Sequence, residues 1–357
     1  MDERGSEMSS CRQLSFVLPF TFSEHRTTAM SWREDPDCGA SERLELLLRS
    51  FLAHVDHRIL KAFLVVTPQR ECGRARKLLE NITLDAKYSV IAEEELQSAE
   101  DREIWSRQRP DGWRMQQLIK MAAASRIGTE FYVTLDSDIV CTRSVVLNDL
   151  VATSNDLSAR SFVNVENASV YRSLYKDCFA GIEVGRKEIR YSASASILGY
   201  RRPGGYYGSY YGETPCVIHT GAMREMLAWV SKRHGSCWTK TLVGAPGWTE
   251  YALYFQFLEM SRELETTCVL RGPNHVLDLE RSVWHENLWY KQWRIYDRYH
   301  FAGCEGDRRQ GPFVAIQSWL SLERWLPKGY TIESFYQALG EWVIRASVEH
   351  SDSVSVA

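Results

Sequence analysis

Several features are scarce or missing in this chain. It has 9 cysteines but no Cys-x-x-Cys pair, so a zinc ribbon or a redox dithiol is not expected. The thiols are scattered, at Cys11, Cys38, Cys72, Cys141, Cys178, Cys216, Cys237, Cys268 and Cys304. An odd, dispersed set fits a reduced, intracellular protein. No apolar run approaches the roughly 20 residues of a membrane-spanning helix. Residues 1–13 are polar and lack the apolar stretch of a signal peptide. Neither sign of charge dominates: 43 Lys and Arg against 46 Asp and Glu leave a net charge of −3. Nucleic acid is therefore not an expected partner. There is no internal repeat. A cytoplasmic location is expected, with peripheral membrane attachment left open.

What is present is an ordinary globular composition with many rings. The 357 residues allow one large α/β domain, or a domain with a smaller lobe. The 12 Trp and 17 Tyr exceed what a core needs of polar-tipped rings, so some are expected at the surface or in a pocket.

Residues 1–13 and 350–357 read as disordered. Strands are expected at 15–20, 62–66 and 88–91, the second a continuous apolar run closed by Thr67-Pro68. Between the first two lies a helix with Leu44, Leu47, Leu48 and Phe51 at helical spacing, capped by Ser41. A charged helix follows near 75–81. An amphipathic helix over 113–125 carries a core stripe of Met115, Leu118, Ile119 and Ala122. Trp113, Gln117 and Lys120 share its other face, and since Trp seldom faces water, that face is expected to be buried or cleft-lining. Next come a strand at 131–135, a Gly/Tyr loop over 204–212 and a strand at 216–219. A helix capped by Thr220, a helix over 250–261, a strand at 313–316 and a helix near 332–346 complete the pattern. Alternating strands and helices predict a mainly parallel sheet covered on both faces.

The most informative stretch is Phe131-Tyr132-Val133-Thr134-Leu135-Asp136-Ser137-Asp138. An apolar strand runs straight into two aspartates at i, i+2. In parallel sheets ligands bind beyond the carboxyl ends of the strands, and carboxylates there need a counter-charge. Oxygen donors suit Mg2+ or Mn2+ bridging phosphate oxygens. The competing reading is an Asx turn at a strand end.

Gly112-Trp113-Arg114-Met115-Gln116-Gln117-Leu118-Ile119-Lys120 together with Asp136-Ser137-Asp138 resembles the GT-A fold superfamily of nucleotide-sugar-dependent glycosyltransferases, within a DxD-containing GT-A-like group of largely unassigned function. The likeness covers about 14–290. It implies one domain over 14–349, with a Rossmann-like mixed sheet, a nucleotide-binding half at 14–145 and an acceptor half at 146–349. It also implies a nucleoside-diphosphate sugar donor, a carbohydrate or glycoconjugate acceptor, and Mn2+ or Mg2+. Asp136 and Asp138 would hold the metal, with Asp138 also counted among the catalytic residues and Asp136 reaching the ribose. His285, in Ser282-Val283-Trp284-His285, would be a further ligand, although the longer His-Gly-Lys signature of some families is missing. Lys120, Gln117 and Arg114 would face the diphosphate; for Arg114 a solvated helix face is the preferred reading. Glu250, after the Pro246-Gly247-Trp248-Thr249 turn, is the candidate general base, though a first-turn Glu also suits the helix dipole and Tyr251 stands where an acidic partner is usual. His219, Thr220, Tyr207, Tyr210 and Trp248 are the candidate acceptor-side residues, with the Gly/Tyr loop as a lid.

Two other functions compete. A haloacid-dehalogenase-type phosphohydrolase would use Asp136 as nucleophile and Asp138 as acid/base. Against it, that motif normally ends the first strand, and Asp307 is followed by Arg308 and Arg309 rather than by an acidic cluster. A GT-A-like protein that binds a nucleotide-sugar without turnover is the third.

Overall fold

The computed structural model describes residues 13–22, 40–108, 110–153, 158–169, 177–202, 209–212, 214–272, 275–279 and 311–316, with isolated positions at 172, 282, 334, 337, 340 and 341. The first half alternates strand and helix. It comprises β1 (Leu14–Pro19), α1 (Ala40–His54), β2 (Leu60–Thr67), α2 (Cys72–Ile82), β3 (Tyr88–Ala92), α3 (Ala99–Gln108), α4 (Gly112–Ala122) and β4 (Phe131–Thr134). Then follow β5 (Ile139–Cys141), β6 (Val151–Thr153), β7 (Ala159–Glu166), α5 (Asp177–Leu198), β8 (Tyr210–Tyr211) and β9 (Cys216–His219). The remaining elements used below are α6 (Thr220–His234), α7 (Trp238–Gly244), α8 (Glu250–Ser261), β10 (Cys268–Arg271) and β11 (Phe313–Ala315).

The main sheet has the order β3-β2-β1-β4-β9. Its first four strands are parallel, and β9 runs antiparallel to β4. A smaller sheet has the order β10-β7-β6, with β8 paired to β7. The expected α/β class with a mixed sheet covered on both faces is observed, and the strand alternation shows how. Leu14, Phe16 and Leu18 of β1, with Phe131 and Val133 of β4, pack into the layer under α1. Val17 and Tyr132 point the other way, into the layer built by α4, α6 and α8. Side chains two apart share a face of a strand, so a short apolar run feeds two cores.

Helix α1 buries Leu44, Leu47, Leu48 and Phe51, the stripe its spacing predicts. Phe51 meets the rings of Phe16 at 4.9 Å, Phe63 at 5.1 Å and Phe313 at 6.0 Å. One side chain thus ties two sheet strands to β11.

The local expectations fail at some boundaries. Helix α1 already begins at Ala40, so Ser41 lies inside its first turn. The cap of α6 is His219, whose Nδ1 accepts from the Ala222 N–H at 3.1 Å, and Thr220 is the first helical residue. Of the face shared by Trp113, Gln117 and Lys120, the last two are buried as expected, whereas Trp113 is 51% exposed. It sits in the first turn of α4. The C-terminal end of the Gly/Tyr stretch is strand β8, not loop. Of the expected last helix, Ser334, Gln337, Gly340 and Glu341 are helical, and its other positions lie outside the described residues.

Phe51→Ala should cost about 3–5 kcal/mol of stability, the range for deleting a buried Phe. Urea unfolding measures it; a loss below about 1 kcal/mol would contradict the role given to α1.

Candidate active site

Strands β1, β2 and β3 are laid down in one direction across the sheet, and the chain then returns to place β4 on the other side of β1. The reversal lies between β1 and β4, and the crevice beyond their carboxyl ends is where such sheets bind ligands. Asp136-Ser137-Asp138 occupies that position. The segment forms a turn, closed by the Ile139 N–H donating to the Asp136 carbonyl at 3.2 Å. The Ile316 N–H, after β11, donates to the Asp138 carbonyl at 2.8 Å and holds the turn from outside. Both aspartates are partly exposed.

Beneath the turn lies Lys120, which is 3% exposed. Three acceptors surround its Nζ: Asp136 Oδ1 at 2.6 Å, Glu250 Oε1 at 3.1 Å and Thr214 Oγ1 at 3.2 Å. Thr214 and Glu250 accept hydrogen bonds from it, and Asp136 is its second ion-pair partner. Burial would lower the lysine's pKa, but the carboxylates of Asp136 and Glu250 win and hold it well above the ordinary value. Its contribution to stability is therefore complete at neutral pH. It is lost only as pH rises through that raised value. Glu250 shifts upward because burial outweighs the attraction of Lys120.

A hydrogen-bond chain continues from Lys120. Thr214 Oγ1 and Tyr251 Oη are 2.8 Å apart, as are Tyr251 Oη and Thr134 Oγ1, and Thr134 Oγ1 bonds the Cys216 carbonyl at 3.3 Å. An ammonium only donates and a carbonyl only accepts. The direction is thus set at both ends: Lys120 to Thr214 to Tyr251 to Thr134 to Cys216.

Local sequence places these groups. Gly247 has φ of +81°, which favours glycine, in the turn before α8. Thr249 caps α8 by accepting from the Ala252 N–H at 3.3 Å, which puts Glu250 in the first turn. Its N–H donates to Gln117 Oε1 at 3.2 Å. Gln117 in turn donates from Nε2 to the Trp113 carbonyl at 3.3 Å.

The structure therefore brings Asp136, Lys120, Gln117 and Glu250 together, with Asp138 two residues along the turn. Lys120 faces carboxylates rather than an open diphosphate position. Arg114 is turned away, its Nη1 donating to the Val243 carbonyl at 3.0 Å. Trp248 is not a ligand wall; it is 2% exposed and its Nε1 donates to the Leu242 carbonyl at 2.8 Å. Tyr210 is likewise 2% exposed, inside the core against Tyr191. His219 and Thr220 belong to the opposite end of the strands. His219 pairs with Phe131 at the amino end of β4, about 10 Å along the strand from its carboxyl end. Burial lowers the His219 pKa, and Thr220 Oγ1 donates to the Thr129 carbonyl at 2.8 Å. Tyr207 and His285 lie outside the described residues.

Thr214, Tyr251 and Thr134 were missed. Tyr251 drew notice only as the neighbour of Glu250, and Thr214 carries no local signal, since its partners are 94 and 37 residues away in sequence. As to a metal, the partly exposed carboxylates fit a hard divalent cation. Among the described residues no group of three His, Cys, Asp or Glu is arranged to hold one. Such an ion would take its remaining ligands from phosphate oxygens and water, as Mg2+ commonly does.

Comparison with known proteins adds the following. A model of DUF6492, a family of unknown function, matches residues 11–335. Among solved structures, apo mouse xyloside xylosyltransferase 1 is similar over 86% of this chain and 98% of that one, at 12% identity and a TM-score of 0.44. No curated protein matches. Among the described residues, no helix is long and apolar enough to cross a membrane.

Lys120→Met would strand the buried Glu250 carboxylate, at a cost of about 3 kcal/mol or more in urea unfolding. Replacing both partners, K120M/E250M, should recover most of that loss. Additive losses in the double variant would contradict the coupling.

Proposed function

This chain belongs to the DUF6492 family, and we propose that it is a metal-dependent GT-A glycosyltransferase moving a sugar from a nucleoside-diphosphate sugar to an acceptor hydroxyl. One observation carries the reading: an Asp-x-Asp turn at the sheet's reversal point stands directly on a buried Lys120–Glu250 pair. The position of the turn after β4, the fourth strand of the chain, favours transfer over haloacid-dehalogenase-type hydrolysis, whose motif ends a first strand.

Asp136 and Asp138 are the residues that would hold Mn2+ or Mg2+. When bound, the cation supplies charge neutralisation at the leaving diphosphate. Lys120 holds the Asp136 carboxylate in place and keeps its partner Glu250 charged. Glu250 is assigned the acceptor proton: the acceptor oxygen bonds the sugar's anomeric carbon, the bond from that carbon to the diphosphate oxygen breaks, and the electron pair leaves with the diphosphate. A carboxylate whose pKa burial has raised is better matched to this task near neutrality. The unit performing it is assigned to residues 14–349, the nucleotide bound by the first half and the acceptor by the second.

UDP or GDP should raise the melting temperature only when Mn2+ is present, through mass action on the folded state. Asp136→Ala/Asp138→Ala should abolish the shift. An unchanged shift in that variant, or no response of the native chain to either nucleotide, overturns the reading.

With a turned-over donor, the acid limb of the kcat/KM profile should lie above the ordinary carboxylate range of about 4. Glu250→Gln should lower kcat by about 100-fold or more while nucleotide binding persists. Loss of both together would make Glu250 an anchor of the turn and not the base.

A further inference from the structure

We infer that Trp113 is an acceptor-binding platform, a rigid aromatic face on which a pyranose ring of a carbohydrate acceptor stacks. The inference rests on the transferase reading for its orientation, and on features of its own for the contact.

One face of α4 runs outward from the charged cluster. Lys120 and Gln117 are each 3% exposed, whereas Trp113, on the same face, is 51% exposed. Seven residues of helix span about 10 Å. A helix leading into a parallel strand runs against it, so the amino end of α4 lies on the carboxyl side of the sheet, the side that carries Asp136. Side chains on a helix lean toward its amino end, which brings Lys120 up to Asp136 and carries Trp113 beyond it. A chain of sugars extending from a hydroxyl at Glu250 would therefore reach this ring within one or two residues.

The backbone that carries the ring is tied to the site. The Trp113 carbonyl accepts from Gln117, and Gln117 accepts from the Glu250 N–H, so two hydrogen bonds connect the platform's backbone to the first turn of α8. The Arg190 guanidinium lies 5.7 Å from the ring centroid. Ile189, the neighbour of Arg190 on α5, is 63% exposed, and its Cγ2 lies within van der Waals reach of where a Cβ at Gly247 would stand. An exposed indole beside a guanidinium matches a sugar ring, which offers an apolar C–H face and a rim of hydroxyls.

A lipid surface is the competing occupant of an exposed Trp and Ile patch. It is disfavoured because the nearby Arg186 is spent on Glu183 at 2.6 Å, which leaves less free positive charge for anionic headgroups.

The test uses the full chain and its Trp113→Ala and Trp113→Phe variants. Xylotriose, cellotriose and maltotriose are titrated by isothermal calorimetry and by ligand-observed NMR, with UDP and GDP binding in the presence of Mn2+ measured in parallel. The expected result is that one of the trisaccharides binds the native chain, W113A weakens it at least about tenfold, W113F restores part of it, and nucleotide binding is unchanged in both variants. Failure of all three to bind the native chain overturns the platform, as does equal binding by W113A. So does loss of binding to phosphatidylserine vesicles, or loss of a dimer, as the only effect of W113A. Failure of both UDP and GDP to bind with Mn2+, with trisaccharide binding still dependent on Trp113, would overturn the transferase reading and leave Trp113 a carbohydrate platform.

Discussion

The Lys120 ammonium is the point on which the site is built. It is buried, and three elements far apart in sequence meet at it: the turn after β4 through Asp136, the entry to β9 through Thr214, and the first turn of α8 through Glu250. A buried charge with one acceptor too few is costly. The three sides of the site are therefore held to a common position by the need to satisfy one cation. The hydrogen-bond chain through Tyr251 and Thr134 extends the constraint into the strand that carries the aspartates.

This arrangement explains why the Asp-x-Asp turn can stand partly exposed and still be well placed. One of its carboxylates is neutralised from below by Lys120, while Ile316, just after β11, grips the Asp138 carbonyl from the side. Because two carboxylates share the single lysine, the cluster keeps an excess negative charge. Such a charge suits an incoming divalent cation, while burial, with a smaller push from Asp136, shifts Glu250 upward despite its ion pair.

Much of the fold was legible from pattern. The apolar runs of β1, β2 and β4 and the stripes of α1 and α4 each mark what a local period can mark: which face is buried. Asp136, Lys120 and Glu250 were legible because each stands at an element end or on an element face with a chemical reason to be there. The face of α4 that Trp113 marks is buried at Gln117 and Lys120, but Trp113 itself, in the first turn of the helix, stands exposed. His219 and Thr220 were misread because a strand-to-helix junction looks the same at either end of the strands. Only the antiparallel run of β9 puts this one at the amino end of β4. Thr214 could not be found at all, since nothing within reach of it in sequence hints at a lysine 94 positions earlier.

The central claim is that this charged crevice turns over nucleotide-sugars. Release of nucleoside diphosphate from a panel of UDP-, GDP- and other nucleotide-sugars, with Mn2+ and in its absence, tests it most directly. The account predicts release from at least one donor, dependent on the metal and lost in Asp136→Ala. Absence of release from every donor, with p-nitrophenyl phosphate hydrolysed through Asp136 instead, would contradict it.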